Sequence, residues 1–152
     1  MVSDVEPLSV PTEDTSARSV ACGVDVVSIE RIEQLLDEFE ESFRNRVFAS
    51  AEQRYCERRS DPPQHYAARW AVKEAFIKAV DAESPPIPLQ SVAVAKRDEE
   101  PRLRLQGAAE TALTVTTGDD PGAATSSETA VSLSHDRHAD RAIGQVVLTW
   151  FP

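Results

Sequence analysis

The 152-residue sequence predicts an α+β domain, a long central helix packed on a mainly antiparallel sheet. Three observations carry that expectation. Apolar residues at helical spacing follow Ser28, a long alanine-rich helical stretch follows Asp61-Pro62-Pro63, and two alternating strands close the chain. The length fits one domain and is sufficient to bury a core.

Each element has its own signal. Residues 1–18 carry Asp4, Glu6, Pro7, Pro11, Glu13 and Asp14 without an apolar h-region, so they read as a flexible acidic leader and not a signal peptide. The folded domain is assigned to 19–152. Val20–Val27, VACGVDVV, reads as a buried strand interrupted by Gly23 and Asp25. Ser28 is placed to cap a helix whose stripe is Ile29, Ile32, Leu35, Leu36, Phe39 and Phe43. Ser50-Ala51-Glu52-Gln53 has capping-box form and opens a short helix through Arg58. Asp61-Pro62-Pro63-Gln64 repeats that logic for a helix from Pro62 to Asp81, ended by Pro85, Pro86 and Pro88. SVAVAK and Arg102–Gln106 are strands, followed by a short helix near Ala108–Leu113. TGDDPGAATSSET is a mobile polar loop by composition, and ETAVSLSH and AIGQVVLTW are the closing strands.

Composition excludes several function classes. Hydrophobic residues make up 41% and charged residues 28%, so the chain is not disordered overall. The net charge of -10 disfavours nucleic acid and anionic membrane as partners. An anionic ligand would need a local basic pocket. No run reaches ~18 apolar residues, the length of a membrane span. Cys22 and Cys56 are too few for a disulfide framework and have no zinc-ligand spacing, so both read as small buried hydrophobes in a reducing cytosol.

The residues that could carry chemistry sit mostly on the long helix. Glu74 and Lys78 lie one turn apart, which is also the spacing of an ordinary surface pair worth ~0.2–0.5 kcal/mol. Arg69 and Lys73 share a different face, and Ala68, Ala71, Ala75 and Ala79 line a third, suited to close packing within the fold or across subunits. Asp25 lies in an apolar strand, where a lone carboxylate is costly without a cation or donors. It could equally cap or turn. His135 has the bland reading of a satisfied strand-end histidine.

Taken in order, GVDVVSIERI, RVFASAEQRYC, ARWAVKEAFIKAV and VSLSH closely resemble the motif series of small phosphopantetheinyl transferases of the holo-acyl-carrier-protein synthase type. The resemblance runs from about Val20 to Phe151. It implies transfer of 4′-phosphopantetheine from coenzyme A to a carrier-protein serine, releasing adenosine 3′,5′-bisphosphate. By the same resemblance Asp25 and Glu74 hold Mg²⁺, with Mn²⁺ as the alternative ion, and Asp25, Glu74 and Lys78 form the catalytic set. Arg69, Lys73, Lys78 and His135 are the implied coenzyme contacts, with Arg69 and His135 toward the 3′-phosphate. Glu74, Glu52 or a water stay open as the base. The family also implies a cytoplasmic homotrimer with pockets between subunits. Arg69 and Lys78 are nearly opposite on their helix, in keeping with two separate grips on the ligand.

Two departures stand out. The first helix is acidic from Glu30 to Glu41, where members acting on free acidic carriers present basic residues. Either the acceptor is a less acidic carrier domain, as in a type I fatty-acid synthase, or the acidic face is simply solvated and the carrier docks elsewhere. After the long helix, DAESPPIPLQ holds no glycine where the family has a glycine-rich loop. The alternatives are a catalytically inactive relative and a protein-interaction module using its acidic helix.

Overall fold

A computed structural model describes residues 18–119 and 127–151. The leader therefore lies outside the described residues except for Arg18, as does most of the TGDDPGAATSSET loop. The elements in order are β1 (Ser19–Val27), α1 (Ile29–Val47), α2 (Ser50–Glu57), α3 (Pro62–Ala79), β2 (Val92–Arg97), β3 (Glu100–Leu105), α4 (Ala108–Thr117), β4 (Glu128–Asp136) and β5 (Arg141–Trp150). They form an antiparallel sheet of order β1-β5-β4 and a separate β2–β3 hairpin, with helices packed against both. This is the expected α+β architecture.

The central packing event is α3 lying directly on the sheet. Ala71 and Ala75 are fully buried, and Gly23 of β1 and Gly144 of β5 face them. A Cβ on Gly23 would stand 1.9 Å from the Ala75 carbonyl oxygen, and one on Gly144 would stand 2.3 Å from the Val72 nitrogen. Only a residue without a side chain lets the backbones approach so closely. Gly23 therefore does not interrupt β1, which runs unbroken in register with β5 from Ser19↔Trp150 to Val27↔Ala142. Nor is β1 buried on both faces. Ala21, Gly23, Asp25 and Val27 turn toward α3, while Val20, Cys22, Val24 and Val26 face outward. That alternation places Cys22 on the exposed face, contrary to its expected burial, while Cys56 is buried as expected and its thiol is pushed up to about 12 by desolvation.

α1 starts where Ser28 predicts. The Ser28 hydroxyl accepts from Arg31 N at 3.1 Å and donates to Asp140 Oδ2 at 2.6 Å, while Asp140 Oδ1 accepts from Glu30 N at 2.7 Å. The β4–β5 turn thus supplies a second, long-range cap. Ile29, Ile32 and Leu36 are buried, each fully enclosed side chain contributing about 1.5–3 kcal/mol. Glu40 (φ 45°, ψ -125°) kinks the helix and Phe39 is 49% exposed, but the stripe returns to the core at Phe43, which stacks on Trp70, and at Val47.

Two caps differ from expectation. The box at α2 is shifted back one residue, with Ala49 as N-cap and its N–H donating to Glu52 Oε2 at 2.9 Å. Gln53 instead reaches the Phe48 carbonyl at 3.0 Å. Asp61 does not cap α3, since its carboxylate is taken by Arg137 at 3.2 Å, and Pro62 and Pro63 occupy the first turn. Among the described residues, no helix is long and apolar enough to cross a membrane.

Candidate functional site

Two constellations form on opposite sides of α3, one from its C-terminal half against β1 and one from its N-terminal half against α2, β2 and β4.

The first joins Asp25, Glu74 and Lys78. Asp25 stands on the α3-facing side of β1, where Gly23 lets the helix come close. Lys78 Nζ donates to Asp25 Oδ1 at 2.7 Å and to the Val24 carbonyl at 3.2 Å. The Asp25 side chain is only 18% exposed, so the ammonium supplies the cation that a carboxylate there requires. Glu74 is held above its ordinary range, first by desolvation and then by the charge of Asp25, with Lys78 pulling the other way. Two carboxylates that feel one another in a partly desolvated setting are a fit for a divalent cation. Mg²⁺ commonly takes one or two protein carboxylates and completes its shell with water and phosphate oxygens. Among the described residues no cluster of three or more metal-ligating side chains occurs, so any ion here would rest on this pair.

The second constellation lines a pocket of about 440 Å³ that includes Tyr55, His65, Arg69, Lys96, Ser134 and His135. Arg69 is buried. Its Nη1 donates to the His65 carbonyl at 3.3 Å, while its Nε has no protein partner. His65 and His135 meet edge to face with ring centroids 4.8 Å apart. Burial first, then His135 and Arg69, lower His65 to about 4. The pocket is cationic within an acidic protein.

Lys73 belongs to neither site. It is completely buried, with Nζ donating to Glu52 Oε2 at 2.7 Å, to the Leu89 carbonyl at 3.1 Å and to the Val92 carbonyl. All three ammonium protons are committed, so the expected role as a coenzyme contact is corrected to an internal one. Glu52 is likewise removed as a base, because it is buried and also accepts from Ala49 N and Val94 N. Tyr55, His65 and Lys96 were missed from sequence. His65 stands one turn before Arg69, and that spacing was the available signal.

A family model for the 4′-phosphopantetheinyl transferase superfamily matches residues 21–134, which include both constellations except His135. The chain belongs to the 4′-phosphopantetheinyl transferase superfamily. By family it is a phosphopantetheinyl transferase of the holo-[acyl-carrier-protein] synthase type. It is 39% identical over 127 residues to the holo-[acyl-carrier-protein] synthase of Myxococcus xanthus, covering 83% of this chain and 91% of that one. With the synthase of Syntrophus aciditrophicus it shares 47% identity over 58 residues, 38% of this chain and 45% of that protein, so that match spans less than half of the relative. Among solved structures, the synthase–coenzyme A complex of Chronobacterium ammoniagenes superposes with a TM-score of 0.70 at 30% identity, covering 87% of this chain and 98% of that one. The transferase fold and the α+β reading therefore agree.

Proposed function

We propose that this transferase moves 4′-phosphopantetheine from coenzyme A to the serine of an acyl carrier protein or carrier domain, releasing adenosine 3′,5′-bisphosphate. The observation that carries the reading is the contact of Lys78 with Asp25 beside Glu74, on the far side of α3 from a cationic pocket. A pyrophosphate with a 3′-phosphorylated nucleoside needs two such grips. Arg69 and His135 take the 3′-phosphate end, and Lys78 faces the pyrophosphate. Asp25 and Glu74 are the residues that would hold Mg²⁺ (or Mn²⁺), which when bound neutralises charge on the pyrophosphate.

In the transfer, the carrier serine oxygen forms a bond to the β-phosphorus and the bond to the bridging oxygen of the nucleotide phosphate breaks. Lys78 offsets charge growing on the leaving phosphate. Water takes the serine proton, because Glu52 is buried and hydrogen-bonded to Ala49 N and Val94 N and Glu74 is committed to the ion.

The reading extends to assembly and partner. The outer face of the β1-β5-β4 sheet leaves Val20, Val24, Val26 and Ile143 exposed, an apolar surface that supports a homotrimer with coenzyme pockets between subunits. The exposed acidic side of α1 disfavours a free acidic carrier. Beside it, Leu35, Phe39, Phe43, Trp70 and Leu89 line a cleft of about 690 Å³, which supports docking of a less acidic carrier domain of a type I fatty-acid synthase in the cytoplasm.

Mass spectrometry of apo carriers incubated with the protein, coenzyme A and Mg²⁺ tests this directly. The expected result is a gain of about 340 Da, the mass of the transferred arm, on a carrier domain from a type I synthase. That gain is lost with Asp25→Ala and with Glu74→Ala. Modification of a free type II carrier and not of the embedded domain would overturn the partner assignment, and coenzyme A binding without any transfer would overturn the activity.

A further inference from the structure

Tyr55 is the hub of the cationic pocket. The Arg69 guanidinium carbon lies 4.0 Å from its ring centroid, that of Arg59 lies 4.2 Å away, and Lys96 Nζ lies 5.2 Å away. His65 meets the same ring edge-on at 6.0 Å. Three elements converge here, since Tyr55 and Arg59 come from α2 and its C-terminus, Arg69 from α3 and Lys96 from β2.

Such a gathering of like charges is unfavourable unless something offsets the repulsion. Carboxylates do little of that work. Among the described residues neither Arg59 nor Arg69 makes an ion pair, and the carboxylate paired with Lys96 is Glu99, at 4.0 Å and 96% exposed. The negative face of an aromatic ring attracts cations, more strongly where they are desolvated, and Arg69 is buried. Burial alone would raise the Tyr55 phenol. The neighbouring Lys96, with the charges of Arg69 and Arg59, outweighs burial and holds the group below its ordinary value. A second feature points to a ligand: Arg69 lines the same pocket, and its buried Nε has no partner in the protein.

We propose that Tyr55 is a positioning residue whose ring holds Arg69 and Lys96 in the pocket, with Arg59 against the same ring outside the lining, as a preset receptor for a phosphomonoester dianion, and so sets selectivity for coenzyme A over its 3′-dephospho form. This rests on the reading of the pocket as the 3′-phosphate end of the coenzyme site. The ring face attracts Arg69 without using its donors, as a carboxylate would, and among the described residues only Nη1 of that guanidinium is engaged, by the His65 carbonyl. A dianion entering the pocket then finds unspent N–H groups and incurs little cost in rearranging them.

The test measures binding of coenzyme A and of 3′-dephospho-coenzyme A to the full-length protein by calorimetry, for wild type, Tyr55→Leu and Tyr55→Phe. Tyr55→Leu removes the ring and is expected to weaken coenzyme A about tenfold, the scale of lost cation–ring attraction. Binding of the dephospho form should change by less than about twofold. Tyr55→Phe keeps the ring and should restore coenzyme A binding to within about threefold of wild type. Equal weakening of both ligands by Tyr55→Leu would show a merely structural residue and overturn the proposal. So would a Tyr55→Phe variant as impaired as Tyr55→Leu, because the effect would then belong to the hydroxyl. A wild-type protein that binds both ligands equally would overturn the assignment of the pocket itself, and the role of Tyr55 with it.

Discussion

Lys73 and Glu52, both fully buried, meet at 2.7 Å and tie α3 to α2 beneath the β2–β3 hairpin. Desolvation lowers the Lys73 ammonium from its ordinary value, with Glu52 opposing the shift. The pair is viable because both carboxylate oxygens and all three ammonium protons are engaged: Glu52 also accepts from Ala49 N and Val94 N, and Lys73 also donates to the carbonyls of Leu89 and Val92. Removing one partner strands the other. Lys73→Met should destabilise the fold by about 3–5 kcal/mol in urea denaturation. The double variant with Glu52→Gln should lose less than the sum of the two single losses, and strict additivity would show that the pair is not coupled.

Glu74 gives a pH dependence of the opposite kind from an ordinary paired carboxylate. Its folded pKa is raised, by desolvation first and by Asp25 second. Between the unfolded value and the raised one, the native state therefore binds more protons than the unfolded chain, and stability must fall as pH rises through that window. Thermal melts from pH 4 upward should show this decline without divalent cation. Mg²⁺ should reverse it, and Glu74→Gln should flatten it. A decline unchanged in Glu74→Gln would assign it to another group.

His65 runs the other way. Burial, His135 and Arg69 hold it at about 4, with Arg59 also lowering it and Asp61 raising it. The unfolded chain takes up that proton near the ordinary histidine value of about 6.5. Stability contributed by the neutral ring is thus full above that value and is lost as pH falls toward 4. His65→Phe keeps an aromatic edge against His135 and should remove this part of the acid sensitivity in a pH series of melts. An unaltered slope would mean that His65 does not carry it.

The contrast between Lys73 and Lys78 shows where sequence reading works and where it stops. Helix, strand and cap signals are local, so the order of elements and the start of α1 at Ser28 were legible. The juxtaposition of Asp25, Glu74 and Lys78 followed from family resemblance and matches the packing of α3 on β1. Which charged face of α3 turns inward was not legible, because the helix is enclosed on several sides. The partners that make burial of Lys73 tolerable lie 21 residues away in α2 and 19 residues away at Val92. Gly23 looked like a break for a similar reason. Its role is clearance for Ala75, which is visible only once α3 lies across the sheet. Arg59, Tyr55 and Lys96 converge from separate elements, and no spacing along the chain announces such a convergence.

The outer face of the sheet yields the last prediction. Val20 is 62% exposed, Val24 54%, Val26 53% and Ile143 42%, and the first three alternate along β1 on the side away from α3. Scattered exposed hydrophobes are ordinary, but a row of β-branched residues on one sheet face is a contiguous apolar surface of the kind that partner subunits cover. Val20→Glu and Ile143→Glu place charge there without touching the buried side, so folding should survive, as judged by an unchanged far-ultraviolet spectrum. Light scattering should then give three chain masses for wild type and one for each variant. If the coenzyme pockets lie between subunits, the same variants should also lose coenzyme A affinity in proportion to lost assembly. Restoration at higher protein concentration would tie the two together. Wild type at one chain mass would remove the trimer from the proposal, and monomeric variants with full affinity would place the whole coenzyme site within a single subunit.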